Sequence, residues 1–251
     1  MEIHTAADAG IGWLKKQDPA EVKDLSRSIQ ALSLWDENAS HLIEILLSKK
    51  KGAYWDTDRP VLDTARACSA LAGCGIMLSD AIEWIKKRQN NSNWDNNEIE
   101  TSYALIALGD AGIKNEQGCE WLFRNYGEKW EHVGTTSLIL MGLMKQSRQQ
   151  YAGFIKDRVF WLLSKRNEGG WTYIATSNLV LQALILSGEA GKTDIDTSIH
   201  WLLGKQNNGN WGDITSTALS LISLGLFFKF NINQFYEKGR KDNYEQESSS
   251  H

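Results

Sequence analysis

The chain has 251 residues, 42% hydrophobic and 23% charged, the balance of a globular polypeptide rather than a disordered or membrane-spanning one. Its net charge of −4 offers no basic stripe, so no nucleic-acid partner is expected. Eleven Trp stand against two Pro, Pro19 and Pro60; scarce Pro suits a mostly helical chain, and Trp takes fixed packing or binding places.

The first residues, MEIHTAADAG, lack a basic stretch followed by an apolar one and do not read as a signal peptide. No apolar run reaches the ~18 residues that span a bilayer. Cys68, Cys74 and Cys119 have neither even number nor metal-ligand spacing. A cytoplasmic protein without disulfide framework, metal or cofactor is expected.

Along the chain the Trp fall into two interleaved series. Trp84, Trp121, Trp161 and Trp201 are 37, 40 and 40 residues apart. Trp55, Trp94, Trp130, Trp171 and Trp211 are 39, 36, 41 and 40 apart. Such a period marks an internal repeat. Six units follow, at about 11–35, 41–75, 80–112, 117–146, 156–190 and 196–226. The first is degenerate: it starts at Trp13-Leu14, lacks the second Trp and runs on to Trp35.

Each unit reads as two helices. The first is amphipathic and ends at a Lys/Gln/Asn/Gly cluster; the second starts near a capping Thr or Ser and is apolar nearly all round. The spacing predicts an all-α fold, a single (α/α)6 toroid of six hairpins with inner and outer rings, over residues 1–236. Residues 227–236 (FFKFNINQFY) are expected to close it, with Phe227–Tyr236 as a possible surface for a membrane or a protein partner. Residues 237–251 are polar and expected to be disordered.

The pattern aromatic-aliphatic, Gln, Gly-x-Trp resembles the QW repeat of the squalene–hopene and oxidosqualene cyclases and, more loosely, the protein prenyltransferase β subunits. Trp201, Leu202, Gln206, Gly209 and Trp211 carry it fully, and Trp84, Gln89 and Trp94 in part. Lys50, Tyr126 and Arg166 stand where Gln would be. The resemblance covers about 11–226. It implies a central cavity at the N-terminal ends of the inner helices, and Trp that serve as structural staples. Pro60-Val61-Leu62-Asp63-Thr64-Ala65 also looks like the cyclase acid motif Asp-x-Asp-Asp-Thr-Ala, whose carboxylic acid protonates an alkene or epoxide. Leu62 occupies the proton donor's place and Pro60 the first Asp's. The prenyltransferase zinc set, Asp-x-Cys with a His, meets Ala65 in place of Cys, so no metal is expected.

Aligning the second helices on their Thr or Ser gives columns. Two positions on stand Gln30, Arg66, Tyr103, Leu138, Leu179 and Leu219; five on stand Ser33, Ser69, Ile106, Met141, Gln182 and Ile222. Residues three apart share a helix face, expected to line the cavity. Asp63, Glu100 and Asp58, at the mouth, are the candidate acids. Tyr103, Arg66, Trp35, Gln30, Asn178, Gln182 and Met141 are the candidate substrate contacts. The function implied is an atypical terpene-cyclase-like cyclase or isomerase acting on an isoprenoid or other apolar small molecule. A non-enzymatic lipid- or peptide-binding toroid, or a partner subunit of a larger assembly, stands beside it.

Overall fold

The computed structural model describes the backbone of residues 3–248 and the side chains of residues 3–231. Among the described residues it is all-α, with no strand. The helices are α1 (Ile3–Leu14), α2 (Val22–Leu34), α3 (Ser40–Ser48), α4 (Pro60–Gly73), α5 (Ser79–Arg88), α6 (Glu98–Asp110), α7 (Glu116–Asn125), α8 (Val133–Ser147), α9 (Ala152–Ser164), α10 (Ile174–Ser187), α11 (Lys192–Gly204) and α12 (Ile214–Ser248). One 3-10 turn, Glu128–Trp130, precedes α8.

The even-numbered helices pack in succession, α2 on α4 and so on to α10 on α12, and α12 packs back on α2. The odd-numbered helices dock outside this succession, α7 for example against α6 and α8, and α1 against α12. The apolar composition of the even helices explains their place: in α10, Val180, Leu181, Ala183, Leu184 and Ile185 are all buried. A column of small residues lets neighbours approach closely, with Ala31, Ala67, Ala104 and Ser220 fully buried.

The helices start earlier than their Thr and Ser suggest. Thr64, Thr101, Ser177 and Thr217 are not N-caps but lie inside α4, α6, α10 and α12. Pro60 opens α4 with its ring already at a helical φ. Asn97 caps α6 by accepting from the Ile99 and Glu100 N–H groups.

The hydroxyls displaced from capping take part in a repeated tie instead. The Trp55 backbone N–H donates to Thr64 Oγ1 (3.1 Å) while its indole N–H donates to the Leu46 carbonyl (2.8 Å). Trp94 does the same with Thr101 (3.1 Å) and Ile85 (2.7 Å). Trp171 uses Ser177 (2.9 Å) and Leu162 (2.9 Å), and Trp211 uses Thr217 (3.1 Å) and Leu202 (2.7 Å). Each Trp thus satisfies the open carbonyl end of an odd helix and fastens its loop to the next even helix. Unit four departs: Trp130 lies in the 3-10 turn against Trp121 (5.3 Å), and Tyr126 Oη bonds Thr136 instead (2.8 Å).

The loop before each of these Trp is tight. Asn90 and Asn93 exchange backbone bonds, as do Asn167 with Gly170 and Asn207 with Asn210. Their central residues have positive φ: Asn91 and Ser92, Glu168 and Gly169, Asn208 and Gly209. This is the two-residue turn with both central residues left-handed, which favours Asn and Gly. Gly170 has a second reason to be Gly: a Cβ there would come within 2.3 Å of the Trp201 indole of the next unit.

Four residues in the Gln column join their unit to the next odd helix or its cap. Gln89 and Asn115 exchange side-chain bonds (3.1 and 2.8 Å). Arg166 donates to the Asp194 carbonyl and carboxylate (2.8 and 2.9 Å), Lys50 pairs with Asp80, and Gln206 donates to the Ala6 carbonyl (2.8 Å). Lys50 and Arg166 therefore do the work of Gln with a charged partner. Gln17, in the degenerate unit, turns back to the Trp13 carbonyl (3.1 Å).

At the C-terminal end residues 227–236 continue α12, whose backbone is helical to Ser248. Residues 249–251 lie outside the described residues. Phe227 is buried, Phe228 stacks on Trp35 and Phe230 packs on the core, so these aromatic rings serve their own chain. The side chains of 232–236 lie outside the described residues. The stretch Ile214–Asn231 is long and apolar enough to cross a membrane, yet it is the helix that α2 and α10 flank.

Candidate functional site

Every even-numbered helix contributes to one cavity of about 90 Å³. Gln30, Arg66, Tyr103, Leu138, Leu179 and Leu219, the whole two-on column, line it, together with Ser69, Ile106, Met141 and Gln182. Ser26 and Arg27 complete the wall. Its lining is divided. Helices α2, α4 and α6 supply Arg27, Gln30, Arg66 and Tyr103, with Ile106; α8, α10 and α12 supply Leu138, Met141, Leu179 and Leu219, with Gln182 as their one polar group.

Arg66 also borders a larger cleft of about 690 Å³ at the N-terminal ends of α2 and α4. Glu21, Lys23, Lys49, Asp56, Asp58, Arg59 and Asp63 line this mouth, so its charges of both signs balance. Gln30 and Ser69 in turn border a third cleft of about 290 Å³ at the opposite end, beside Asp110 and Lys145. The three spaces adjoin through shared residues along the axis of the even helices.

Arg66 is held firmly. Its guanidinium lies over the Tyr103 ring, 4.6 Å from the centroid, and donates to Asp63 Oδ1 (3.1 Å). Its Nε is buried with no hydrogen-bond partner among the described residues. Arg27 donates to Thr215 Oγ1 (3.1 Å), which passes the bond on to Asp24, and it makes no ion pair among the described residues. Burial pushes the Tyr103 phenol up, but the charges of Arg66 and Arg27 outweigh it and bring the phenol below its ordinary value. The cavity is therefore electropositive on its α2–α4 side.

The three candidate acids are placed differently. Asp63 sits in the first turn of α4, at the mouth, where both oxygens accept: one from Arg66 and the other from Thr57 Oγ1 (2.9 Å). Both Asp63 oxygens are thus occupied as hydrogen-bond acceptors. Asp58 is exposed on the mouth. Glu100 lines neither space. It is buried behind Arg59, whose Nε donates to Oε1 (2.8 Å), while Oε2 has no partner among the described residues. Burial raises its pKa against the pull of Arg59. The three are not assembled around one point, and Leu62, at the acid motif's donor position, lines the mouth as an apolar side chain.

Two candidate contacts leave the cavity. Trp35 lies at the junction of α2 and α12, where its indole donates to the Leu221 carbonyl (2.8 Å) and stacks on Phe228 (6.0 Å). It is a tie between helices. Asn178 is fully buried between α10 and α12, donating to Ser220 Oγ (2.9 Å) and the Ile174 carbonyl (3.0 Å). It stands one residue before the cavity column, a step of about 100° that turns it to the neighbouring helix. Gln182 does line the cavity and reaches Ser223 Oγ (3.3 Å).

Sequence reasoning missed Arg27. It lies three residues before Gln30 and so on the same helix face. Taking Ser28 as the start of α2 left it outside the helix, whereas α2 begins at Val22. No group of three or more His, Cys, Asp or Glu side chains stands close enough to hold a metal ion among the described residues. No family model matches the chain, and no curated protein matches it.

Proposed function

We propose that the chain is a closed (α/α)6 toroid of six helical hairpins, akin to the cyclase and prenyltransferase rings, that acts as a small-molecule binding module. The observation that carries this reading is the axial cavity, to which all six even helices contribute and which adjoins the mouth at Arg66. Convergence of a whole ring on one space, with polar groups on one side and apolar on the other, is the usual makeup of a ligand site.

Acid-initiated cyclisation of an isoprenoid is the enzymatic alternative from the same resemblance. Two features weigh against it. About 90 Å³ falls well below the ~300 Å³ at which pockets for drug-sized ligands begin. Arg27 and Arg66 in the lining would also repel a carbocation, which aromatic faces stabilise. A cytoplasmic setting fits three cysteines free of disulfides.

Native mass spectrometry of the full chain tests the binding module. The expected result is a retained small molecule, lost in Leu179→Trp, which fills the cavity while the helical circular dichroism stays. A chain with no retained mass, and no ligand-dependent rise in thermal midpoint across a small-molecule screen, overturns it.

A further inference from the structure

From the division of charge in the axial cavity we infer that its ligand is a small monocarboxylate bearing a compact apolar group. Arg27 and Arg66 would hold the carboxylate with the Tyr103 hydroxyl, and Leu138, Met141, Leu179 and Leu219 would hold the apolar part. The inference rests on the binding-module reading and specifies its ligand.

Three observations lead there. First, the charges in the lining do not cancel. Asp63 compensates Arg66 at 3.1 Å, but Arg27 has no direct carboxylate partner among the described residues: it donates to the Thr215 hydroxyl, which passes the bond on to Asp24, and its charge acts on the Tyr103 phenol. Two guanidinium groups thus face one directly paired carboxylate, an arrangement that favours an anion in the half-enclosed site. Second, Arg66 Nε is a buried donor with no partner among the described residues. One guanidinium nitrogen is given to Asp63, and the planar fork as a whole is of the kind that recognises a carboxylate. Third, apart from Gln182, the lining that α8, α10 and α12 contribute is apolar and faces the arginines of α2 and α4. A wholly hydrated ion such as phosphate would leave those four side chains unused, and a second negative charge would find no second free cation.

The size of the space agrees. About 90 Å³ holds more than one water but less than a drug-sized molecule. A short branched acid fits this range, and a longer one would extend past Arg66 into the mouth.

Isothermal titration of the full chain with isovalerate, its neutral isostere isovaleramide and inorganic phosphate tests the inference. Isovalerate is expected to bind, and the other two at least about tenfold more weakly, the size of one charge-assisted hydrogen bond. Arg27→Gln, which keeps a donor for Thr215, is expected to weaken isovalerate by about tenfold or more. Tyr103→Phe is expected to weaken it less. Were the Tyr103 phenolate itself the partner of Arg27, Tyr103→Phe would tighten isovalerate, and that result overturns the inference. Equal binding of amide and acid, both lost in Leu179→Trp, overturns the carboxylate while the binding module stands. Tighter binding of phosphate than of isovalerate overturns it too. Binding of none of the three overturns it as well, and the retained mass then decides on the module separately.

Discussion

The wall between the odd and even helices and the cavity that the even ones line are built from the same succession of helix pairs, yet they use repetition in opposite ways. In the wall four units converge on one arrangement, an indole N–H on a helix-end carbonyl and a backbone N–H on a Thr or Ser hydroxyl. On the axis one column carries Gln30, Arg66, Tyr103, Leu138, Leu179 and Leu219, four residue types with four chemistries. Repeated bonds hold a frame together, and the positions that make none of them are free to differ. The chemistry of the molecule lies where the repeat stops repeating.

The largest expected effect is in the wall, and unit four is the internal control. Trp211→Phe keeps most of the buried ring but strands the Leu202 carbonyl, whereas the Trp130 indole makes no such bond among the described residues. Urea denaturation is expected to show Trp211→Phe costing about 1–3 kcal/mol more than Trp130→Phe. Equal costs would mean that the repeated bond contributes nothing beyond packing.

On the axis the effects are smaller and depend on pH. The Tyr103 phenol is below its ordinary value in the folded chain, so its phenolate is favoured by folding. That contribution is complete above the unfolded value of about 10 and is lost as pH falls through the lower folded value. The stability difference between wild type and Tyr103→Phe is therefore expected to move in favour of wild type as pH rises toward about 10. A difference independent of pH would remove the electropositive cavity from the comparison.

The smallest effect is expected at Glu100. Its pKa is raised by burial, so its contribution to stability is present at acid pH and lost as pH rises through the folded value. Glu100→Gln removes that buried charge and leaves Arg59, which is 45% exposed, to water. At neutral pH the change in stability is expected to stay within about 1 kcal/mol of zero, measured by thermal unfolding. A loss of several kcal/mol would instead make the Arg59 pair a strong tie.

The repeat and the inward column were readable because both depend on spacing, and helical spacing is fixed by backbone geometry. Helix starts were not. Thr64 or Thr217 looks like a cap, since a hydroxyl before an apolar run caps most helices, but here it serves the Trp nine or six residues earlier. That tie crosses a loop and leaves no mark in local periodicity. The same error of register hid Arg27. Trp35 looked functional because it broke the Trp series; it breaks it because α2 has α12 as a neighbour and needs a tie across that junction. Asn178 looked like lining because polar residues in apolar helices draw attention, while its partner Ser220 sits 42 residues away.

The bond from Gln206 to the Ala6 carbonyl, 200 residues apart, has a consequence for how the chain is made. Helix α1 leaves the ribosome well before the loop and helix it rests on, including Gly209 and Leu221, with the other described helices between them. Units two to five have neighbours in hand as they appear, but the first helix must wait. Folding during synthesis thus leaves α1 waiting, and the step that joins it to α12 carries the longest loop closure among the described helices.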